Sequence, residues 1–249
     1  MEAKAHAAES THWYTRDGLP MYTVTGANGK QRNTTLRDAR KMDLVPSVTT
    51  ILNVASKPGL ELWKQRQVLL AALTLAKIEN ETEEEYLDRI LADSKEQGKQ
   101  AANLGTEIHE AIQSFYEEKP HGYHEHVMAC DIEIYRSFGD QKWIAERSFT
   151  HELGFGGKVD LHCDGVVVDI KSKEFDDPDT VEAYDEHLMQ LAAYRVGLGM
   201  QRARCANVFV SRNVPGLVKM IEWSEEDLSR GFRMFCHLLH FWQERNQHK

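Results

Sequence analysis

Residues 157–172 read GKVDLHCDGVVVDIKS, and this stretch decides the fold. Asp164 and Gly165 are a strong two-residue hairpin turn signal between two apolar, β-branched runs. With those two at the turn centre, Cys163 faces Val166, Asp160 faces Asp169 and Lys158 faces Lys171. Side chains alternate between the faces of a strand. One face then carries Val159, Leu161, Cys163, Val166, Val168 and Ile170, all apolar and therefore predicted core. The other carries Lys158, Asp160, His162, Val167, Asp169 and Lys171.

Two aspartates directly across a strand pair place their Cβ atoms about 5 Å apart. At that separation, and an effective dielectric of about 20, their repulsion is on the order of 3 kcal/mol. A divalent cation between them turns repulsion into attraction, and hard oxygen ligands favour Mg²⁺ or Mn²⁺. Lys171 lies two residues beyond Asp169 and shares its face. An ammonium there can orient or help deprotonate a water and counter charge on a phosphate. The plain alternative is an exposed polar face with incidental charges; a bulge would also shift the register.

Outward from the hairpin, the chain divides by character. Upstream, 12–24 (HWYTRDGLPMYTV) reads as a short hairpin, and the basic stretch 26–43 as a surface loop. Ser47 is placed to cap a short helix through Ile51 and Leu52. Further helices are expected over 60–78, over 83–118 in two pieces near Gly98, and over 125–138. A strand over 143–151 precedes the hairpin. Downstream come a helix over 180–198, strands over 206–212 and 218–223, and a last helix after Ser224, with Asp227 as a weak capping-box partner. The expected fold is α/β, a restriction-endonuclease-like central mixed sheet flanked by helices, with a mainly helical N-terminal half. The division expected is a hairpin and helical region over 1–95 and a core over 96–249, packed as one unit.

The order of motifs resembles the PD-(D/E)XK nuclease superfamily and, within it, the RecB-type exonuclease branch. The residues that carry the resemblance are GTEIH at 105–109, Asp160, DIK at 169–171 and QLAAY at 190–194. The resemblance implies that His109, Asp160 and Asp169 bind metal, with the Ile170 carbonyl as a further ligand, and that Lys171 is the catalytic lysine. Gln190 and Tyr194, at i and i+4 on one helix face, are suited to hold Lys171 and a DNA phosphate. Glu146, on the preceding strand, is a candidate for a second metal or a supporting role. Asp169 stands where many relatives have glutamate. Gly105, one turn before His109, leaves room for a close approach. The implied activity is Mg²⁺- or Mn²⁺-dependent hydrolysis of DNA in processing, recombination or repair, with exonuclease action favoured over endonuclease. The rival is a nucleic-acid-binding module with a degenerate core. PSVTTIL, at 46–52, resembles phage-encoded members of the branch, which implies a role in phage recombination. A recombination or replication partner protein fits such a role.

Bulk properties are compatible with this reading. The 249 residues carry 30 Lys and Arg against 39 Asp and Glu, a formal net charge of −9. An acidic protein does not coat DNA nonspecifically, so any DNA contact needs a local basic track; Arg66, Lys99 and the 30–41 stretch are candidates. Cys130, Cys163, Cys205 and Cys236 are scattered, with no CxxC pair, and are expected as reduced, mostly buried thiols. Residues 1–10 read as a loose tail without a signal-peptide core, and no apolar run reaches membrane-spanning length, so a cytoplasmic protein is expected. His121, His124 and His126 are read as a surface loop rather than a metal cluster. Lys173, at the end of its strand, can face the site.

Overall fold

The computed structural model describes residues 12–248; the expected tail over 1–10 lies outside them. The N-terminal half holds β1 (Trp13–Tyr14), β2 (Thr23–Thr25), β3 (Gln31–Asn33), α1 (Leu36–Met42), β4 (Val45–Pro46), α2 (Val48–Leu52), α3 (Pro58–Thr74), α4 (Glu83–Tyr116) and α5 (His124–Phe138). The second half adds β5 (Ile144–His151), β6 (Phe155–Cys163), β7 (Val166–Lys173), α6 (Asp185–Gly197), β8 (Arg204–Ser211), β9 (Val218–Trp223) and α7 (Glu225–Asn246). β5 to β9 form one five-stranded sheet in chain order. β7 and β8 are parallel, joined by the α6 crossover, and every other neighbouring pair is antiparallel. This is the expected mixed sheet flanked by helices after a mainly helical half.

Helices cover both faces, so both faces are core. On one, Val167 and Cys205 pack with Leu188 and Leu191 of α6, Phe235 and Leu239 of α7, and Ile51 of α2. On the other, Val166, Val168, Ile170, Ala206 and Val208 pack with Ile108 and Ile112 of α4 and Ile134 of α5. Each such side chain contributes on the order of 1.5–3 kcal/mol by leaving water.

The hairpin forms at the predicted register: Cys163 pairs with Val166, His162 with Val167 and Leu161 with Val168. The ladder stops there. Asp160 does not continue it opposite Asp169; its Oδ2 accepts the Ile170 N–H at 2.7 Å. A second departure concerns Val159, which was predicted to share the face of Leu161. Val159 and Phe155 pack on the α6 side, whereas Leu161 and Cys163 pack on the α4 and α5 side. β5 makes the same change, with Phe149 on the first side and Ala145 on the second. Arg147 pairs with Val159 and Ala145 with Leu161, so no residue is inserted; both strands exchange faces at Glu146 and Asp160. Glu146 has φ 56°, a left-handed value that a side chain other than glycine adopts at a cost of about 1–3 kcal/mol.

Elsewhere the differences have local causes. Residues 36–42 form α1 rather than loop, because Thr35 and Asp38 make a reciprocal capping box. The 12–24 hairpin is reduced to a bridge between Tyr14 and Pro20, since β1 pairs instead with β4. α4 is one continuous helix of 34 residues, not two pieces; Gly98 stays helical with the Trp63 ring lying against it. It also runs unbroken through residues 95 and 96. α5 starts at His124, and His126 is buried rather than on a surface loop. All four cysteines are free. Among the described residues, no helix is long and apolar enough to cross a membrane.

One contact sets where α4 lies on the sheet. A Cβ at Gly105 would overlap the Ser172 hydroxyl of β7, so the helix approaches the strand closer than any other residue permits. Gly105→Ala should destabilise the protein by about 1–3 kcal/mol through overpacking. Adding Ser172→Ala removes the atom that is struck and should recover most of the loss. Urea unfolding of the three proteins tests this; a double variant no more stable than Gly105→Ala would show that the contact is not the constraint.

Candidate active site

The exchange of faces brings three donors from three elements together. His109 comes from α4, Glu146 from β5 and Asp160 from β6, and their ligand atoms all lie within 4.8 Å of one another. They line a narrow crevice together with Ile112 and Ile170. His109 Nε2 is 3.0 Å from Asp160 Oδ2. Asp160 is drawn to this place by a backbone donor, because the Ile170 N–H has no strand partner on that side once the ladder has ended. Glu146, offered by the sequence for a second metal or a supporting role, is a member of this cluster. It also forms an ion pair with Lys158.

The charges in the crevice are interlocked. Asp160 holds the His109 imidazole above its ordinary pKa against the opposing effect of burial. Burial works against the Asp160 carboxylate, but His109, Lys171 and the Ile170 N–H outweigh it and keep it below the ordinary range. One imidazole and two carboxylates, with no thiolate, are a donor set that fits a divalent metal ion.

Asp169 is placed differently. It is 1% exposed and its two oxygens are fully engaged. Lys171 Nζ donates to Oδ1 at 2.9 Å and lies 2.8 Å from Oδ2. Gln190 of α6 donates to Oδ1 at 3.0 Å, and Asn207 of β8 to Oδ2 at 2.8 Å. Burial pushes Asp169 up to about 6, against the pull of Lys171. Burial also favours loss of the Lys171 proton, but Asp169 and Asp160 outweigh it and hold the ammonium above its ordinary value. Gln190 thus reaches Asp169 rather than Lys171. Tyr194 is buried and takes the Gln190 Nε2 donor on its hydroxyl at 2.8 Å. Asp169 is not in the convergent cluster, and Ile170 meets the crevice only as part of its wall.

No protein-family model matches the chain, and no characterised protein matches it. Among the solved structures similar to it are two that match most of its length. The crystal structure of SSO0001 is 16% identical over 72% of this chain and 86% of that one, with a TM-score of 0.33. An alkaline exonuclease (LHK-Exo) from Laribacter hongkongensis is 14% identical over 74% of this chain and 97% of that one, with a TM-score of 0.34. Neither supports a phage origin.

Sequence reasoning missed Asn207 and His187. Asn207 is wholly buried, pairs with Asp169 across the parallel ladder, and accepts the Trp223 indole N–H at 2.8 Å. Its signal was a lone amide inside the apolar run CANVFV. His187 lies three residues before Gln190 on α6, where its Nδ1 accepts the Tyr184 N–H at 3.0 Å. Burial and the nearby Lys171, Lys173 and Lys57 push its pKa down to about 3. Arg32, by contrast, is held by Asp38, which takes it out of the candidate basic track.

Two outcomes follow from these contacts. Asn207→Ala leaves a buried carboxylate short of a donor and should cost about 1–3 kcal/mol in urea unfolding; an unchanged midpoint would contradict it. His187 stays neutral when folded but takes a proton near 6.5 when unfolded. Its contribution is therefore complete above pH 6.5 and lost as pH falls toward 3. The stability difference between wild type and His187→Gln should change with a slope of up to about 1.4 kcal/mol per pH unit across that window. A difference independent of pH there would mean that His187 titrates normally.

Proposed function

We propose that this chain is a metal-dependent deoxyribonuclease of the PD-(D/E)XK type, in the RecB-type exonuclease branch that its motifs resemble. The observation that carries the proposal is the convergence of His109, Glu146 and Asp160 within 4.8 Å, beside a lysine held by a buried aspartate. A structural sheet gains nothing from two half-buried carboxylates so close together, or from Glu146 held at an unfavourable φ. The proposed ion is Mn²⁺ or Mg²⁺, with Asp169 and the Ile170 carbonyl completing the ligand set.

A divalent cation supplies Lewis-acid polarisation of a phosphoryl oxygen and makes a nearby water more acidic. The protein's own groups do the rest. Lys171, held protonated by Asp169 and Asp160, acts as an ammonium that counters charge developing on the phosphate. Gln190 and Asn207 fix Asp169, and Asp169 fixes Lys171. The water oxygen bonds to phosphorus and gives up a proton to solvent as one bridging P–O bond breaks, and the departing oxygen takes a proton from solvent. The proposed setting is the cytoplasm, in DNA processing, recombination or repair.

The experiment is digestion of end-labelled linear DNA and circular DNA with Mn²⁺ or Mg²⁺. Linear DNA should be degraded and circular DNA spared. Lys171→Ala and Asp160→Ala should each lower the rate by at least about 10²-fold, the scale for losing one transition-state stabiliser. Full activity in either variant rejects the assignment, and cleavage of circles moves it to an endonuclease. Wild type that binds DNA without cutting it would establish the degenerate binding module.

A further inference from the structure

Lys171 also borders a second and much larger space. A cleft of about 900 Å³ lies between α3 and α4 on one side and α6, β7 and β8 on the other. The reading above places chemistry at one end of this cleft and leaves its walls without a role.

The walls have two kinds of surface. Trp63 of α3 is partly exposed, and its outer ring edge stands in ordinary contact distance of where a side chain at Gly98 of α4 would begin. Tyr184, at the start of α6, lies against Gly59 of α3, and Lys173 Nζ sits 5.2 Å above its ring. The second kind is charge. Asp185 and Glu186 line the cleft, but Arg230 faces the first at 3.4 Å and Lys57 the second at 3.4 Å. Lys173 and Arg212 also line it, and neither forms an ion pair with a described carboxylate. Lys173 lies over the Tyr184 ring and Arg212 donates to the Ala101 carbonyl at 3.4 Å, so two cations outside the described ion pairs stand beside two aromatic rings. Aromatic rings next to cations are the recognition chemistry of single-stranded nucleic acid, because every base has a π-face and every link a phosphate. Size points the same way. The volume lies near the top of the range of about 300–1,000 Å³ for small-ligand pockets. That admits a few nucleotides of one strand, whereas the major groove of a duplex is alone about 12 Å wide.

We propose that this cleft is a subsite for an unpaired DNA strand: a base stacks on Trp63, Lys173 and Arg212 hold its phosphates, and the strand leads to Lys171. The subsite rests on the nuclease reading for the fate of the strand, but its occupancy is measurable without any cleavage.

The test is fluorescence anisotropy of the full chain with a labelled oligothymidylate and with a blunt-ended hairpin duplex, in EDTA so that nothing is cut. The single strand should bind more tightly than the duplex. Trp63→Ala should weaken single-strand binding roughly 5- to 100-fold, the span for loss of one stacked base, and leave the duplex unchanged. Trp63→Phe should recover most of the affinity. Lys173→Gln, which removes the charge, should lower the slope of log K against log salt by about 0.7, the single-strand value for one phosphate contact. Unchanged single-strand binding in Trp63→Ala, equal loss for strand and duplex, or preference for the duplex would each overturn the proposal. If Trp63→Ala does not fold, the Lys173→Gln salt slope decides alone. Wild type that binds the single strand yet cuts nothing once Mn²⁺ or Mg²⁺ is added would instead count against the nuclease reading and leave the subsite standing.

Discussion

Everything around the site depends on one buried anion. An ionised carboxylate taken out of water costs several kcal/mol unless charge and hydrogen bonds replace its hydration. Asp169 meets that demand with donors from three elements: Lys171 on its own strand, Gln190 on α6 and Asn207 on β8. Each donor fixes something. Asn207 selects the parallel register between β7 and β8, since a slip by one residue would turn the amide away. Gln190 fixes the rotation of α6 about its axis. Lys171 is held at the mouth of the cleft, with its proton retained. The anion therefore acts as a fastener for the crossover unit as well as a partner for the lysine.

A second constraint is the place where β5 and β6 change faces together. Regular strands would have sent Asp160 and Glu146 into the same alternation as their neighbours, with ladder bonds on both sides. The switch frees the Ile170 N–H for the Asp160 carboxylate and turns the Glu146 side chain toward His109. Irregular backbone beside active sites commonly serves to aim a side chain. Here it aims two at once, from adjacent strands, without inserting a residue in either.

Much of this was legible in the chain, for identifiable reasons. The Asp164–Gly165 turn fixed the pairing of Cys163 with Val166, because loop length and turn type set hairpin register. Leu161, Cys163, Val166, Val168 and Ile170 share a core, as their alternation requires. What failed were inferences that extended a local rule past the point where tertiary contacts take over. Alternation carried Val159 to the wrong side because nothing in LHCD or GKVD announces a face switch. Gly98 was read as a helix break from its intrinsic propensity, yet the Trp63 ring packs there. The tract 36–42 was read as loop from its charge, although Thr35 and Asp38 cap it. Asn207 went unremarked because its partner lies 38 residues away in sequence. The sequence offers His109, Glu146 and Asp160 one by one, but their convergence depends on the switch and is not visible before it.

The continuity of α4 has a mechanical meaning. At about 1.5 Å per residue, Gly98 and His109 are about 16 Å apart along a single rod. One end of that span backs the ring of Trp63; the other presents an imidazole to the carboxylates; and between them Gly105 rests on Ser172. The cleft and the crevice therefore share one wall, and a single helix sets how far the ring of Trp63 and the imidazole of His109 stand apart.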